Sequence, residues 1–364
     1  MHLDFLRLIN FRNYRDLSLE IPCGGALFEG LNGSGKTNLL ESIHLLCTGR
    51  SQRGAARKTM INHEEKSAFA EGCFNYEDGA RVKASLGFDR DRRVSMKIND
   101  KPLGSFSEWF GERPVVSFGT DDLELVYGPP ETRRRFLDML ISQIDRGYFE
   151  ALARYRRSML SRNSLMGKVW EPLQYEIYEE QMAQSGAELV FWRQRVVEEL
   201  IPLLGDFYRE ISGGRESADL QYEPRCKIDC SSKKEWKNVF YSFLAQRRRR
   251  DIEVGFSSSG PHRDELRFLL DKRLARTFGS QGQCRSFVLS LKLASVLLIE
   301  RHRHQSMIFL IDDAVSELDT GRTSRVYPLI EGKGQVFIAT PRLDITLGKS
   351  VLNCVVSDGN VEVR

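Results

Sequence analysis

Long apolar runs are missing from this chain. No stretch approaches the roughly eighteen uninterrupted apolar residues that a membrane helix needs, so no spanning segment and no membrane partner are expected. Met1 to Phe11 carries Asp4 and Arg7 where a signal peptide would be apolar, which implies that the chain stays in the cytoplasm. Cysteine is sparse and irregular. The seven thiols, at Cys23, Cys47, Cys73, Cys226, Cys230, Cys284 and Cys354, are odd in number and scattered, which argues against a disulfide framework and for a reducing compartment. Only Cys226 and Cys230 are close, and no neighbouring His or further Cys completes a zinc site with them. No sign of charge dominates either: 54 basic against 50 acidic side chains leave a formal +4, so any nucleic-acid-binding face has to be local. No internal repeat is visible, and no heptad is sustained over the turns that a long coiled coil demands.

The 364 residues that remain, 41% hydrophobic and 29% charged, suffice for one large core or two modest ones. Leu3 to Phe11 is apolar and extended, and Ala26 to Glu29 leads straight into a glycine-rich loop. From Lys36, the residues Leu39, Leu40, Ile43, Leu46 and Cys47 recur at helical spacing, with Gly49 placed as a cap. Residues 67 to 98 hold three strand-like runs broken by turns, with a further turn at Asn99-Asp100; they are expected to form an antiparallel appendage to the sheet. Between about Asp121 and Arg250, patterns of helical period replace strands, and arginine becomes frequent, as in Arg133-Arg134-Arg135, Arg154, Arg156, Arg157 and Arg162. Leu189, Trp192, Val196, Val197, Leu200 and Leu203 make a packing stripe there. After Gly255, strand-like runs at Leu266 to Leu270, Ile308 to Ile311, Val336 to Ala339 and Val351 to Val356 are expected to complete the N-terminal sheet, with a helix from Gln283 to about Arg301 between them. The expected division is an α/β lobe of residues 1–118 and 256–364 around a helical insert of residues 119–255.

Gly30-Leu31-Asn32-Gly33-Ser34-Gly35-Lys36-Thr37 matches the phosphate-cradling pattern of two glycines, a lysine and a threonine. Its context between a strand and a helix lets backbone N–H groups and the positive end of the helix dipole converge on phosphate oxygens. Lys36 is then expected to reach the β and γ phosphates of ATP, and the Thr37 hydroxyl to bind Mg²⁺. Met307 to Asp313 is an apolar strand that ends in two carboxylates, where open α/β sheets bind ligands. Asp312 suits the Mg²⁺ shell, and Asp313 suits the water that attacks. Ser280-Gln281-Gly282-Gln283 stands at a helix start about thirty residues before that strand, and Ser316-Glu317-Leu318-Asp319 follows the strand closely.

This order resembles the ABC-type ATPases, in which the signature serine of one subunit caps the γ-phosphate held by another, an arrangement that requires a dimer. Within that superfamily the chain resembles the RecF family of recombinational-repair ATPases nearly end to end. The resemblance rests on Leu8-Ile9-Asn10-Phe11-Arg12-Asn13-Tyr14, Gly33 to Glu41, Gly49-Arg50-Ser51, Asp121 to Val126, Gly128-Pro129-Pro130, Arg133 to Asp138, Gly260-Pro261-His262-Arg263-Asp264 and Ser280 to Ala294. It implies an ABC-type ATPase head with no long coiled coil, weak DNA-stimulated ATP hydrolysis, ATP-dependent dimerisation on gapped or duplex DNA, and cooperation with RecO and RecR to load RecA. Carried over residue by residue, it implies that Arg12 touches nucleotide phosphates, that Asn32, Gly33, Ser34, Gly35, Lys36, Thr37 and Asn38 cradle them, and that Ser280, Gln281, Gly282 and Gln283 act in trans. The chain departs from the pattern at Phe118-Gly119-Thr120, where relatives read Phe-Ser-Pro, and at Ala339-Thr340-Pro341, where Thr340 takes the place of a switch histidine.

Three other readings compete. A transporter's nucleotide-binding subunit is disfavoured by the long insert and the absence of the usual glutamate and switch histidine. A structural-maintenance or Rad50-like protein lacks room for its coiled coil, and a small-molecule kinase leaves Ser280 to Gln283 without a task. His262 reads as a structural residue or as a base. Arg247 to Arg250 and the insert arginines read as DNA contacts or as solvated faces.

Overall fold

Alternating burial along the first residues builds strand β1 (His2–Phe11), and a turn at Arg12, whose φ is 54°, returns the chain as β2 (Tyr14–Glu20). The structure, a computed structural model, describes all residues except 168–171, 215, 227–231, 314–319 and 342–349. Cys230 and the Ser316 to Asp319 segment therefore lie outside the described residues. The wholly buried β3 (Gly25–Glu29) leads into α1 (Lys36–Thr48), which ends on Gly49 in the left-handed conformation that glycine adopts without strain. A meander follows: β4 (Ser67–Asn75), β5 (Arg81–Asp89), β6 (Val94–Ile98) and β7 (Lys101–Pro102). Asn99 and Asp100, with φ of 49° and 63°, make the tight hairpin turn between the last two, as expected from their side chains. Then comes β8 (Val115–Gly119).

Next in the chain are α2 (Glu124–Tyr127), α3 (Pro130–Ile144), α4 (Arg146–Ser164), α5 (Pro172–Ser212), β9 (Ala218–Glu223), α6 (Lys233–Val254), β10 (Glu265–Leu270), β11 (Arg273–Leu274) and α7 (Ala275–Phe278). The chain closes with α8 (Gln281–Arg303), β12 (Ile308–Asp312), α9 (Thr320–Ile330), β13 (Gln335–Thr340), β14 (Leu352–Ser357) and β15 (Asn360–Val363). Contacts group the chain into two units. One comprises Met1–Asp122, Glu210–Gly214 and Gln281–Arg364; the other comprises Leu123–Arg209 and Arg215–Ser280.

In the first unit, a six-stranded antiparallel sheet runs β2-β1-β4-β5-β6-β7, and a six-stranded mixed sheet runs β15-β14-β3-β13-β12-β8. The strand-like runs of residues 67 to 98 thus join β1 in a sheet of their own. Helix α1 touches strands of both sheets, β1, β4 and β5 of one and β8, β12 and β13 of the other, which explains why Leu39, Leu40, Ile43, Leu45 and Leu46 are wholly buried. Burying each such side chain contributes about 1.5–3 kcal/mol, and Leu46→Ala would cost about 2–5 kcal/mol. Helix α8 meets the length and composition of a membrane span, but 78% of its most apolar stretch is buried inside the fold, as a core helix is.

The second unit carries helices and one small sheet, β11-β10-β9. Two expectations are corrected here. The run Leu266 to Leu270 does not complete the N-terminal sheet, because β10 pairs antiparallel with β9 and β11 instead. Its alternating burial suits a sheet covered on one face, whereas the parallel strands β3 and β13 are buried at every position. The stretch read as purely helical also contains β9, six residues whose alternation is too short to stand out against the flanking helical periods. The apolar stripe from Leu189 to Leu203 lies on α5, where all of its members except Trp192 are buried.

Candidate functional site

The first unit gathers its polar groups at the carboxyl ends of its parallel strands. Gly119 of β8 pairs with Asp312 of β12, Asp312 with Ala339 of β13, and Thr340 with Glu29 of β3. Four strands therefore end level with one another, and Gly30 to Thr37 follows β3 directly. This is the crevice where open α/β sheets take up ligands.

The loop backbone requires glycine at defined points. A Cβ at Gly35, where φ is +120°, would stand 2.4 Å from Asn13 Nδ2 and 2.7 Å from the Tyr14 hydroxyl. A Cβ at Gly30 would stand 2.3 Å from the carbonyl of Val356. Lys36 Nζ donates to the carbonyls of Gly30 at 2.8 Å and Leu31 at 2.9 Å, so its ammonium is curled under the loop it serves. Leu31, Asn32 and Gly33 are exposed, whereas Ser34, Gly35 and Lys36 are buried. Ser34 Oγ is a buried polar atom with no hydrogen-bond partner. An orphaned hydroxyl in such a loop fits an incoming phosphate oxygen, because an unmade buried hydrogen bond is costly.

Asn13 was not among the sequence-derived site residues, although it lies inside a motif quoted above. Its Nδ2 donates to the carbonyl of Ser34 at 3.0 Å, and its Oδ1 accepts from Asn38 Nδ2 at 2.7 Å. The β1–β2 turn therefore staples both ends of the loop's tight part. Arg12, one residue earlier, places Nε 2.9 Å and Nη2 3.1 Å from the two oxygens of the wholly buried Glu41, and Nη1 donates to the carbonyl of Thr59 at 2.7 Å. The bidentate fork fixes the guanidinium in one plane.

On the other side of the crevice, the Thr37 hydroxyl donates to Asp312 Oδ1 at 2.8 Å. Burial pushes the Asp312 carboxyl up to about 6, the adjacent Asp313 charge adds to the rise, and Thr37, Arg53 and Lys36 oppose it. Arg53 Nη2 lies 3.9 Å from Asp312 Oδ2 and is another residue that the sequence motifs did not single out. Asp313 turns the chain after β12 with a φ of 53°, and its backbone N–H donates to the carbonyl of Ala339 at 3.0 Å. Thr37 and Asp312 fit a magnesium ion: they juxtapose a hydroxyl and a desolvated carboxylate, hard oxygen donors that leave the remaining positions to water and phosphate.

Asp122, just past β8, accepts from the backbone N–H of Gly119 at 2.8 Å and from Lys292 Nζ at 2.7 Å. That ion pair sets the height of α8 against the sheet. From Cys284 to Ile299 the helix is largely buried, and its first residues reach the surface. Ser280, exposed, directly precedes that helix, followed by the exposed Gln281 and the half-buried Gly282 and Gln283.

Residues of the second unit that the sequence offered as contacts or bases are tied internally. The His262 ring nitrogens face the Tyr155 hydroxyl at 2.7 Å and the carbonyl of Ser257 at 2.9 Å, and burial lowers its pKa to about 4. The structural reading of His262 therefore accounts for both nitrogens. Arg162 is wholly buried against Glu179 at 3.0 Å and Asp251 at 2.9 Å, and Arg248 also pairs with Glu179, at 2.6 Å. Arg133 is buried against Glu265, and Arg156 pairs with Asp138. These arginines tie helices to one another and, at Arg133, to β10; of the Arg247 to Arg250 run, Arg249 and Arg250 are exposed.

The comparisons with known proteins agree with this geometry. The family described as RecF/RecN/SMC N terminal domain matches residues 2–358. A DNA replication and repair protein RecF from Heliobacterium modesticaldum is 35% identical over 348 residues, covering 94% of this chain and 93% of that protein. Another RecF, from Ligilactobacillus salivarius, is 34% identical over 349 residues, 94% and 92% of the two chains. Among solved structures, the recombination mediator protein RecF with ATP in the RecFOR pathway superposes with a TM-score of 0.91 at 30% identity, covering 100% of this chain and 97% of that one. An Smc head domain from Pyrococcus furiosus reaches a TM-score of 0.61 at 18% identity and shares the fold. The transporter alternative draws no support from these matches.

Proposed function

Since the chain belongs to the RecF family within the wider RecF/RecN/SMC group, we propose that it is a cytoplasmic, ATP-dependent DNA-binding protein of recombinational repair whose two copies close on gapped or duplex DNA when ATP binds. The observation that carries the reading is the crevice itself, in which a glycine loop with an orphaned Ser34 hydroxyl ends in the Thr37–Asp312 hydrogen bond. Gly30, Asn32, Gly33, Ser34, Gly35, Lys36, Thr37 and Asn38 cradle the triphosphate, with Asn13 holding the cradle in shape. Arg12, oriented by Glu41, stands at its edge for the phosphates. Thr37 and Asp312 would hold Mg²⁺, whose charge would offset that of the phosphates. Asp313 aligns the attacking water, Lys36 stabilises the charge that develops on the γ-phosphoryl group, and turnover to ADP and phosphate is slow, so hydrolysis times release.

The exposed start of α8 supports a trans arrangement. A helix N-terminus whose opening residues Ser280 and Gln281 are exposed is open to a phosphate presented by another copy, and Ser280, Gln281, Gly282 and Gln283 complete that copy's site. One relative described as a mediator in the RecFOR pathway supports RecO and RecR as the partners with which the clamp helps to load RecA.

The test is Ser280→Arg. It should abolish ATP-dependent self-association while the monomer still binds ATP; a variant that still associates removes the trans site. Binding to duplex DNA should strengthen with ATP and weaken steeply with log salt, and salt-insensitive or absent binding removes the DNA assignment.

A further inference from the structure

The first turn of α8 is braced from α9. Arg322 Nη1 donates to Ser286 Oγ at 2.9 Å, and Ser286 Oγ donates to the carbonyl of Gly282 at 2.9 Å. The guanidinium lies close to that glycine, since a Cβ built at Gly282 would stand 3.4 Å from Nη1. The relay fixes the backbone at the spot assigned above to a second copy's γ-phosphate.

Resting on that trans reading, we propose that Arg322 is a positioning residue of the half-site that each copy lends to the other. Through Ser286 it fixes the Gly282 peptide and with it the direction of the N–H groups that open α8.

Mixing experiments separate this role from a merely structural one. Arg322→Ala alone should lose ATP-dependent dimerisation at least tenfold while its monomer binds a fluorescent ATP analogue as wild type does. Arg322→Lys should recover part of the loss, and Ser286→Ala, which keeps the charge and breaks the relay, should fall between. Lys36→Ala and Arg322→Ala, each inactive alone, should regain ATP turnover when mixed. Half of randomly paired dimers then combine the intact loop of one copy with the intact half-site of the other, giving about a quarter of the wild-type rate.

The control mixes Lys36→Ala with Ser280→Arg. If the control regains turnover and the Arg322 mixture does not, the Arg322 inference is overturned while the trans reading stands. If neither regains turnover, the trans reading fails and the inference falls with it. Wild-type dimerisation by Arg322→Ala would overturn the inference outright. Should that variant not fold, by circular dichroism, Arg322→Lys and Ser286→Ala replace it in the mixtures with the same two outcomes.

Discussion

Replacing Asp312 by Asn should make the protein more stable and less able to use ATP. Burial lifts the Asp312 carboxyl from its ordinary 3.8 to about 6, so the fold favours the protonated form. A raised carboxyl contributes its full stability only below the unfolded value, and loses it as pH climbs from about 3.8 through about 6. Above that window the ionised group costs up to about 3 kcal/mol, since each tenfold change in proton affinity corresponds to about 1.36 kcal/mol. Asn keeps the acceptor for the Thr37 hydroxyl and removes the charge. Thermal unfolding at pH 8 in a chelator, without nucleotide, should therefore show Asp312→Asn melting about 4 °C above wild type. By pH 4 the gap should shrink to under about 1 kcal/mol, because the wild-type carboxyl is then protonated in the fold and nearly half protonated out of it. Adding ATP and Mg²⁺ should reverse the order, since wild type gains stability from the bound ligands by mass action and the variant gains little from the metal. A variant that melts no higher than wild type at pH 8, or a gap of equal size at pH 4 and pH 8, would refute the claim that Asp312 is held at a desolvation cost for the sake of a cation.

Asn13→Ala deletes two hydrogen bonds to the glycine loop, each contributing about 1 kcal/mol net, and should weaken ATP binding by about tenfold with the fold intact, as read by calorimetric titration. Arg193→Met strands the buried carboxylates of Asp138 and Asp264, which Arg193 meets at 2.7 Å and 3.2 Å, and urea unfolding should show a loss of about 3–5 kcal/mol. For His262, whose pKa falls from 6.5 to about 4, the neutral form stabilises the fold above 6.5 and that contribution is lost as pH falls through 4. His262→Gln should flatten the acid side of the stability profile and leave ATP turnover within about twofold at about pH 7.5, where a catalytic base would cost far more.

Local patterns made much of the fold legible. The helix from Lys36 to its Gly49 cap, the Asn99-Asp100 turn and the acidic end of β12 each follow from residues within one or two turns of one another. Pairing was not legible, because a strand's partner is set by segments far along the chain. The run at Leu266 to Leu270 joined β9 rather than the strands of the crevice, and only its alternating burial distinguishes it from a parallel strand. The loop glycines announce themselves in the chain order. Asn13 does not, since its bonds to Ser34 and Asn38 form only when the β1–β2 turn folds over the loop. Frequent arginine in the second unit suggested an exposed basic face, yet Arg162 and Arg193 are almost wholly buried, because their carboxylate partners lie on other helices and loops. Arg322 was equally silent, as its contact with Ser286 joins two helices separated by β12.

Sedimentation velocity of the full chain with and without ATP and Mg²⁺ tests the central claim most directly. The nucleotide crevice and the exposed start of α8 predict a monomer that becomes a dimer at saturating ATP, and returns to a monomer when ATP is replaced by ADP. A species that stays monomeric at saturating ATP would contradict the account.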